Sequence, residues 1–391
     1  MRVVCKSVFL AALFLLPLVS CSNKKSKEST TAASIPFDTR ALLYYNPKTA
    51  DRKIDAFVQD LHTKHGFNGN ILVAKDGKVI YENSIGWADY LRRDSLNIDS
   101  RFQLASVSKP FTATATLMLY ERGKLKLDDS VQRFFPNFPY HGITVRMLLT
   151  HQSGMNNYQY AFEKLWDQHK PMYNNDVLGL YAQYHPHYYN KPGQTFFYNN
   201  TNFMLLGAIV EKASGEPFAK FMKENIFDPL GMKNTAVYSK AKDAKVPTNV
   251  WGYDHIWRRS VVPNYLDGVI GDKGVYSTVK DMYLFDQGLQ KGKLLKPETM
   301  KMAYTPSFPE PKHHKHFNYG FGWRLFEEDN GQVVIYHTGW WHGFQNIFVR
   351  DLNNHVTIVV LSNVFNGSIA HLDDLYKIVG MPVIRKGAYA D

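Results

Sequence analysis

The sequence predicts an α/β fold in which an antiparallel sheet is flanked by helices and interrupted by an inserted, mainly helical domain. Strand patterns occur before about Gly86 and return after about residue 250, where glycines punctuate them. Between these groups, over about 125–247, apolar and aromatic residues recur at helical spacing. Hydrophobic residues make up 45% of the chain, enough for a large core. The sheet and the insertion would meet at a cleft, a usual position for a ligand site.

The elements outside the insertion have simple patterns. Apolar residues three or four apart predict helices, glycine-bounded apolar runs predict strands, and Asp76-Gly77 predicts a tight turn between the first two strands. In chain order, the predicted elements are a helix at 52–65, strands up to about 86, a helix from 106 to 120, strands at 333–336, 344–349 and 355–361, and a helix near 372–379.

The N-terminus has the pattern of a lipoprotein export signal. Arg2 and Lys6 precede the apolar run Val8–Val19, which is short for a membrane-spanning helix. Leu18-Val19-Ser20-Cys21 then resembles a bacterial lipobox, whose cysteine receives the lipid. We predict a signal peptide over 1–20, a lipid anchor on Cys21, a flexible tether over 21–48 and a folded domain over 49–391. The alternative is an ordinary cleaved signal peptide with a chance cysteine.

The composition fits an exported protein of the bacterial cell envelope. Cys5 and Cys21 are the only cysteines and both belong to the export signal, so no disulfide is predicted. The formal net charge of +11 suits anionic envelope surfaces. Ser22 does not resemble an inner-membrane retention signal, which favours a lipid anchor in the outer membrane, on the periplasmic side. The sequence has no nucleic-acid or cofactor motif. Its clustered histidines lack Asp, Glu or Cys partners at ligand spacing, so no metal site is predicted either.

Ser106 and Lys109 form an S-x-x-K pattern at the start of a predicted helix. A serine hydroxyl becomes a strong nucleophile only when a neighbouring base removes its proton. Residues i and i+3 share a helical face, so the Lys109 amine can reach the Ser106 hydroxyl. The free N–H groups of a helix N-terminus would also stabilise an oxyanion. Taken alone, the pattern is more often a buried helix that carries serine and lysine by chance.

Two later segments could complete such a site. Tyr198 lies on a loop before a helical pattern, where a phenol could relay a proton, and Asn200 offers an amide to a substrate. His337-Thr338-Gly339 follows a predicted strand, and Gly339 permits close approach of the backbone to a ligand. The N–H of Trp340 could bind an oxyanion together with that of Ser106. Taken singly, the segment at Tyr198 is typical of a core tyrosine with a capping asparagine. The segment at His337 is typical of a hairpin turn with an exposed histidine.

The three motifs, in this order, resemble those of the serine β-lactamase and penicillin-binding-protein superfamily, specifically its class C-like branch. The resemblance covers roughly Ile54 to Val379. It is supported by further similar segments at 67–79, 143–155, 271–278 and 319–323. It implies a β-lactamase/transpeptidase-like fold and no cofactor.

The resemblance also implies a role for each motif residue. Ser106 would be the nucleophile, Lys109 its activating partner, and Tyr198 the general base or acid. The residues implied to bind substrate are Asn200, His337, Thr338, Gly339 and Trp340. In β-lactamases of this branch a lysine, a permanent cation, usually stands at the position of His337. Histidine is only partly charged near neutral pH, and this form is typical of the peptidase and esterase members.

These roles predict an exported serine hydrolase that works through an acyl-enzyme. The leading expectation is D,D-peptidase-like action on the D-amino-acid peptides of the cell wall. The partners would then be small-molecule or peptide substrates, such as peptidoglycan stem peptides, and the membrane that holds the anchor. Esterase or weak β-lactamase activity is the enzymatic alternative. From another class, the chain could be a catalytically silent envelope-binding protein. Its oligomeric state is not predictable from these patterns.

Overall fold

The computed structural model describes residues 37–239, 246–254, 260–308 and 316–384. The predicted signal peptide and the lipidation residue Cys21 lie outside these ranges. Within the ranges, no helix combines the length and the apolar character that a membrane span requires.

The strands of the described residues fall into one large sheet and several short pairings. In chain order they are β1 (Gly69–Lys75), β2 (Lys78–Ile85), β3 (Trp87–Asp89), β4 (Asp94–Ser95), β5 (Phe102–Gln103), β6 (Ala236–Val237), β7 (Tyr253–Asp254), β8 (Val275–Ser277), β9 (Phe317–Tyr319), β10 (Arg324–Glu327), β11 (Val333–Trp341), β12 (Phe344–Asp351), β13 (Val356–Ser362) and β14 (Val364–Phe365).

The helices surround the large sheet. The α-helices are α1 (Thr39–Leu42), α2 (Arg52–His65), α3 (Lys109–Glu121), α4 (Val131–Phe134), α5 (Val145–Leu149), α6 (Tyr158–Ala161), α7 (Asn174–Tyr184), α8 (Asn200–Ser214), α9 (Phe218–Met222), α10 (Val279–Gln290), α11 (Pro297–Ala303) and α12 (Asp373–Val379). Short 3₁₀-helices cover Pro47–Thr49, Ala105–Ser108, Tyr265–Gly268 and Ser368–Ala370, and a π-helical turn covers Lys223–Phe227.

The large sheet is antiparallel and has seven strands in the order β2-β1-β13-β12-β11-β10-β9. Alternate residues of a strand point to opposite faces, so each face can bury its own core. In β13, for example, Val359 and Leu361 belong to one apolar cluster, whereas Ile358 and Val360 belong to the other. The predicted α/β fold with an antiparallel sheet flanked by helices is therefore confirmed.

The two faces carry different helices. One face packs against α2 and α12, which contribute Ile54, Val58 and Tyr376 among others. The other face packs against α3, α8 and α10, and the predicted insertion, with α4 to α9, continues this larger core. Ser106 and Tyr198 lie on this second side, just before α3 and α8 respectively.

Two predicted boundaries need correction. The tether was expected to extend to residue 48, but Asp38 caps α1 and Leu42 is buried in the large core. The folded part therefore includes residues 37–48, because their apolar side chains have a core to pack against. The third motif was expected after the end of a strand at Tyr336, but β11 continues through Trp341, and the turn lies at His342-Gly343.

Candidate active site

Ser106 lies in the 3₁₀-helix Ala105–Ser108, which leads directly into α3. Its neighbours Ala105 and Val107 are fully buried, whereas Ser106 is partly exposed. Ala105 has a φ of +52°, a left-handed conformation that costs a residue with a side chain roughly 1–2 kcal/mol. This strained turn presents the Ser106 side chain at the surface between two anchored neighbours.

The Lys109 side chain is buried and points at Ser106. Its Nζ donates hydrogen bonds to Ser106 Oγ at 2.8 Å, to Asn200 Oδ1 at 2.8 Å and to the carbonyl oxygen of Asp272 at 3.1 Å. The three acceptors come from different segments of the chain, so the amine is fixed in position. In its neutral form it could take the hydroxyl proton over the same short distance.

Tyr198 lies beside Lys109 on the loop before α8. The ring centre is 4.9 Å from Lys109 Nζ and 5.1 Å from the guanidinium carbon of Arg324. The His151 ring lies 4.4 Å away, centre to centre. The phenol is therefore surrounded by two cations and an imidazole, and the cations would stabilise negative charge on it.

Asn199 and Asn200 have separate tasks at the start of α8. Asn199 caps the helix, since its Oδ1 accepts from the Thr201 N–H at 2.9 Å. Asn200 accepts from Lys109 and donates through Nδ2 to Gln159 Oε1 at 2.6 Å. Both ends of the Asn200 amide are thus engaged, and a substrate amide would have to replace the Gln159 contact.

The third motif brings a strand edge against the nucleophile. A Cβ atom at Gly339 would lie 2.3 Å from the carbonyl oxygen of Leu104 and 3.1 Å from the Ser106 nitrogen, so only glycine fits. Pairing of β11 with β10 ends at Tyr336, whereas pairing with β12 continues to Trp341. The last residues of β11 therefore keep an edge that β10 does not cover.

Thr338 and Trp340 differ in accessibility. Thr338 Oγ1 is buried and, within the part of the chain that the structure describes, has no hydrogen-bond partner. Trp340 is 52% exposed, and its ring packs on that of Phe365, with centres 5.0 Å apart. The end of β11 therefore presents the unpaired hydroxyl of Thr338 and, two residues later, the exposed ring of Trp340.

His337 is in a different environment from the one predicted. Its Nδ1 donates to the carbonyl oxygen of Thr338 at 2.6 Å, so Nε2 is the acceptor for Tyr319 OH at 3.0 Å. Burial and the charges of Arg324 and Lys109 lower its pKa well below the usual range. The ring is neutral and has no exposed surface, so the expected direct contact with substrate does not fit this structure.

A protein-family model described as Beta-lactamase matches residues 52–379. The chain belongs to the beta-lactamase family. It is 34% identical over 324 residues to Penicillin-binding protein 4* of Bacillus subtilis (strain 168), a match that covers 80% of this chain and 71% of that protein. The predicted family is therefore confirmed, and the chain is a serine hydrolase of this family.

Solved structures agree on the fold of this beta-lactamase family member. A penicillin binding protein from Bacillus halodurans superposes with a TM-score of 0.73 at 25% identity, over 82% of this chain and 98% of the other. A D-amino acid amidase from Ochrobactrum anthropi SV3, complexed with L-phenylalanine, gives a TM-score of 0.69 at 23% identity, over 81% and 92% of the two chains. The β-lactamase/transpeptidase-like fold is thus confirmed.

Arg324 is a site residue that the sequence patterns missed. It is the first residue of β10, it is 2% exposed, and its guanidinium faces the Tyr198 ring. It supplies the permanent positive charge that the neutral His337 does not. The available signal was a single arginine between Trp323 and Leu325 in an apolar strand, because arginine is rarely fully buried.

A second buried polar cluster surrounds Asp272, whose carbonyl oxygen accepts a hydrogen bond from Lys109. Tyr158 OH donates to Asp272 Oδ2 at 2.9 Å, and Lys273 Nζ donates to Tyr158 OH at 2.7 Å. Lys273 Nζ also lies 3.6 Å from Asp272 Oδ1. Burial and the Asp272 charge raise the pKa of Tyr158 well above its usual range, so the phenol stays neutral. The cluster fixes the residue whose carbonyl oxygen holds Lys109.

The same cluster reaches the end of β11. Lys273 Nζ lies 5.3 Å from the centre of the Trp341 ring, and Trp341 Nε1 donates to Asp267 Oδ1 at 2.9 Å. Burial alone would raise the pKa of Asp267, but contacts with His342, Trp341 and Lys273 lower it, so the carboxylate stays charged. Trp341 is thereby held by charged groups, whereas its neighbour Trp340 faces solvent.

Proposed function

We propose that this serine hydrolase is D,D-peptidase-like and acts through an acyl-enzyme on Ser106. The chief support is the hydrogen bond of 2.8 Å from Lys109 Nζ to Ser106 Oγ, beside the ring of Tyr198. A nucleophile within reach of a fixed amine, with a phenol ring next to that amine, has the parts that acyl transfer requires.

The first half of the reaction forms the ester. Ser106 Oγ attacks the substrate carbonyl carbon, and its proton passes to Lys109, which lies 2.8 Å from Oγ, or to Tyr198 beside Lys109. The N–H groups of Ser106 and Trp340 would bind the oxyanion of the tetrahedral intermediate. When that intermediate collapses, the bond to the leaving amine or alcohol breaks, and Tyr198 returns a proton to the leaving atom.

The second half hydrolyses the ester. Water gives a proton to Tyr198 or Lys109 and attacks the acyl carbon, and Ser106 recovers its proton as the acid product leaves. Arg324 stabilises the negative charge that develops on the phenol oxygen during these transfers. His337 acts indirectly, because it accepts a hydrogen bond from Tyr319 and has no exposed surface.

Substrate binding would use the remaining motif residues. The edge of β11 at Thr338 and Gly339, which β10 does not pair with, suits an extended peptide, and Asn200 suits its amide. Trp340 offers an exposed apolar ring to the acyl side of the substrate. D-amino-acid peptides of the cell wall are the proposed class, and the relative named as a penicillin-binding protein supports this choice. Esterase activity and weak β-lactamase activity are the second candidates. The neutral histidine in the third motif favours the esterase of these two, because β-lactamases of this branch usually have a permanent cation at that position.

The test of acyl transfer is a mass measurement on the full chain. A fluorophosphonate should add once to the wild type and not to Ser106→Ala, and the wild type should then release D-alanine from an acetylated D-Ala-D-Ala peptide. Turnover of p-nitrophenyl acetate without peptide cleavage would favour an esterase. No adduct on a folded wild type would overturn the acyl-enzyme and favour a silent binding protein.

We further propose export and lipid attachment at Cys21, in the outer membrane on the periplasmic side. The support is the lipobox-like Leu18-Val19-Ser20-Cys21, which lies outside the described residues. Cells fed an alkyne fatty acid should label the wild type but not Cys21→Ala, and separation of the two membranes should place the label in the outer one. Equal labelling of both forms would contradict the anchor.

A further inference from the structure

We propose that His151 is a positioning residue for Tyr198: it holds the chain on both sides of the tyrosine and so sets where the phenol lies. This inference rests on the proposed role of Tyr198 in proton transfer. His151 belongs to the segment between α5 and α6, far from Tyr198 in sequence, and no motif reasoning gave it a role.

Two hydrogen bonds place His151 on either side of Tyr198. Its carbonyl oxygen accepts from the N–H of Phe197 at 2.9 Å, and its Nδ1 accepts from the N–H of Asn199 at 3.1 Å. One residue thus binds both chain neighbours of the tyrosine. Displacing Tyr198 along the loop would break at least one of these bonds.

The hydrogen bonds also define the state of the imidazole. A backbone N–H can only donate, so Nδ1 carries no proton, and the amide Nδ2 of Asn202 lies 3.0 Å from the same atom. A neutral ring with its proton on Nε2 offers the single lone pair of Nδ1 to both donors, and this Nε2–H has no hydrogen-bond partner among the described residues. A doubly protonated ring would direct an N–H at the Asn199 donor and break the hydrogen bond between His151 and Asn199.

Packing holds the imidazole in the same place. Its centre lies 4.4 Å from that of Tyr198, 4.8 Å from that of Tyr319 and 5.1 Å from that of Phe203. Because His151 is fully buried, it cannot touch a substrate. It therefore acts through Tyr198 and is not itself a catalytic residue.

The backbone conformation of His151 lets its two ends act on one segment. Its φ is +54°, in the left-handed region that His185, His316, His342 and His355 also adopt. In this conformation the carbonyl group and the ring contact the same segment, at Phe197 and Asn199. A histidine that merely filled the core would not need both contacts.

Two substitutions separate positioning from packing. In His151→Asn the side-chain oxygen takes the place of Nδ1, so the bond to Asn199 survives, and asparagine also tolerates a positive φ. In His151→Gln the oxygen lies nearer the place of Nε2, so the bond to Asn199 is lost although the volume is closer to that of histidine. His151→Ala is the fallback if the glutamine variant does not fold.

Two measurements on the full chain test the proposal. For p-nitrophenyl acetate, His151→Gln should lose about 100-fold in kcat with KM nearly unchanged, because a shift of about 1 Å has that effect, whereas His151→Asn should stay within about 10-fold. Crystal structures should show the Tyr198 ring displaced in the glutamine or alanine variant and in place in the asparagine variant. Unfolding temperatures of all variants serve as the control for packing.

Several outcomes would overturn this role for His151. One is a Tyr198 ring that stays in place in both the glutamine and the alanine variants. Another is a loss of kcat that follows the unfolding temperature and is equal in the asparagine and glutamine variants. If the wild type neither hydrolyses the ester nor forms a fluorophosphonate adduct, the proposed function fails instead, and the crystal structures alone decide whether His151 positions Tyr198.

Discussion

The guanidinium carbon of Arg324 lies 5.1 Å from the centre of the Tyr198 ring, although the two residues belong to a sheet strand and a helix-entry loop far apart in sequence. Lys109 Nζ lies 4.9 Å from the same ring. Opposite charges this near to each other attract more strongly in a protein interior than in water, because the effective dielectric constant is lower there. A negative charge that develops on this phenol is therefore stabilised by two cations.

Replacing Arg324 should slow the reaction through the loss of its charge. We expect Arg324→Met to lower kcat for p-nitrophenyl acetate by about 10- to 100-fold, because one of the two cations beside Tyr198 disappears. Arg324→Lys keeps a charge and should retain more activity. Steady-state kinetics of both variants measure the difference. Equal losses in the two variants would show that the shape of the arginine, rather than its charge, is what matters.

Replacing Tyr198 should affect amides more than activated esters. A p-nitrophenolate leaves without a proton, whereas an amine leaving group must receive one, and a general acid contributes roughly 10²- to 10⁴-fold. We expect Tyr198→Phe to lose more in kcat/KM for an acetylated D-Ala-D-Ala peptide than for p-nitrophenyl acetate. The ratio of the two losses is the measurement. An equal loss for both substrates would assign Tyr198 to activation of Ser106 only.

Much of the fold could be predicted from the sequence because its elements have strong local patterns. Helix α2 has the predicted bounds 52–65, since Asp51 caps it and Gly66 ends it with a φ of +69°. Asp76 and Gly77 both have positive φ, as the predicted tight turn requires. The length of β11 was underestimated, because Thr338 and Gly339 look like a turn locally and become a strand only by pairing with β12.

The motif residues Ser106, Lys109 and Asn200 meet in the structure, as their order in the sequence suggested. What the sequence did not reveal is the set of contacts made in three dimensions. Arg324 and His151 reach Tyr198 from other segments, and no spacing rule connects them with it. The burial of His337 is likewise a tertiary effect, since the sequence around a histidine predicted to follow a strand has no local feature that hides it.

Acid should destabilise the protein partly through His337. Its folded pKa lies well below the usual value because of burial and nearby cations, so below about pH 6.5 the unfolded chain takes up a proton that the folded chain does not. Each such histidine lowers the free energy of unfolding by about 1.4 kcal/mol per pH unit in that range. The contribution of His337 to stability is therefore fully present above the pKa that this histidine has in the unfolded chain, and it is lost as the pH falls below that value.

His337→Asn measures this contribution by difference. Urea unfolding of the wild type and the variant at pH 7.5 and 5.5 should show a loss of stability that is about 1.4 kcal/mol smaller in the variant. Other titrating groups cancel in this comparison, including Asp281, whose pKa burial raises to about 6 and whose effect has the opposite sign. The same pH dependence in both proteins would mean that folding does not shift the pKa of His337.

A fully buried ion pair should matter for stability far more than an exposed one. Arg350 Nε donates to Asp286 Oδ1 at 2.6 Å, and Thr357 Oγ1 donates to Asp286 Oδ2 at 2.8 Å, which ties α10 to strands β12 and β13. Removing one partner leaves a buried charge without compensation, which typically costs about 3–5 kcal/mol. We expect Asp286→Ala to lose that much in the free energy of unfolding, measured in urea.

The matched control is the exposed pair of Asp374 and Lys377, which is 2.9 Å apart with both side chains more than half exposed. Solvent screens such a pair, so Asp374→Ala should lose less than about 1 kcal/mol. The difference between the two losses isolates the effect of burial on the free energy of unfolding, because each variant replaces an aspartate that is paired with a cation by alanine. If the two losses were similar, Arg350 would have to reach solvent or a new partner once Asp286 is removed. Strands β12 and β13 would then not depend on this pair for their contact with α10.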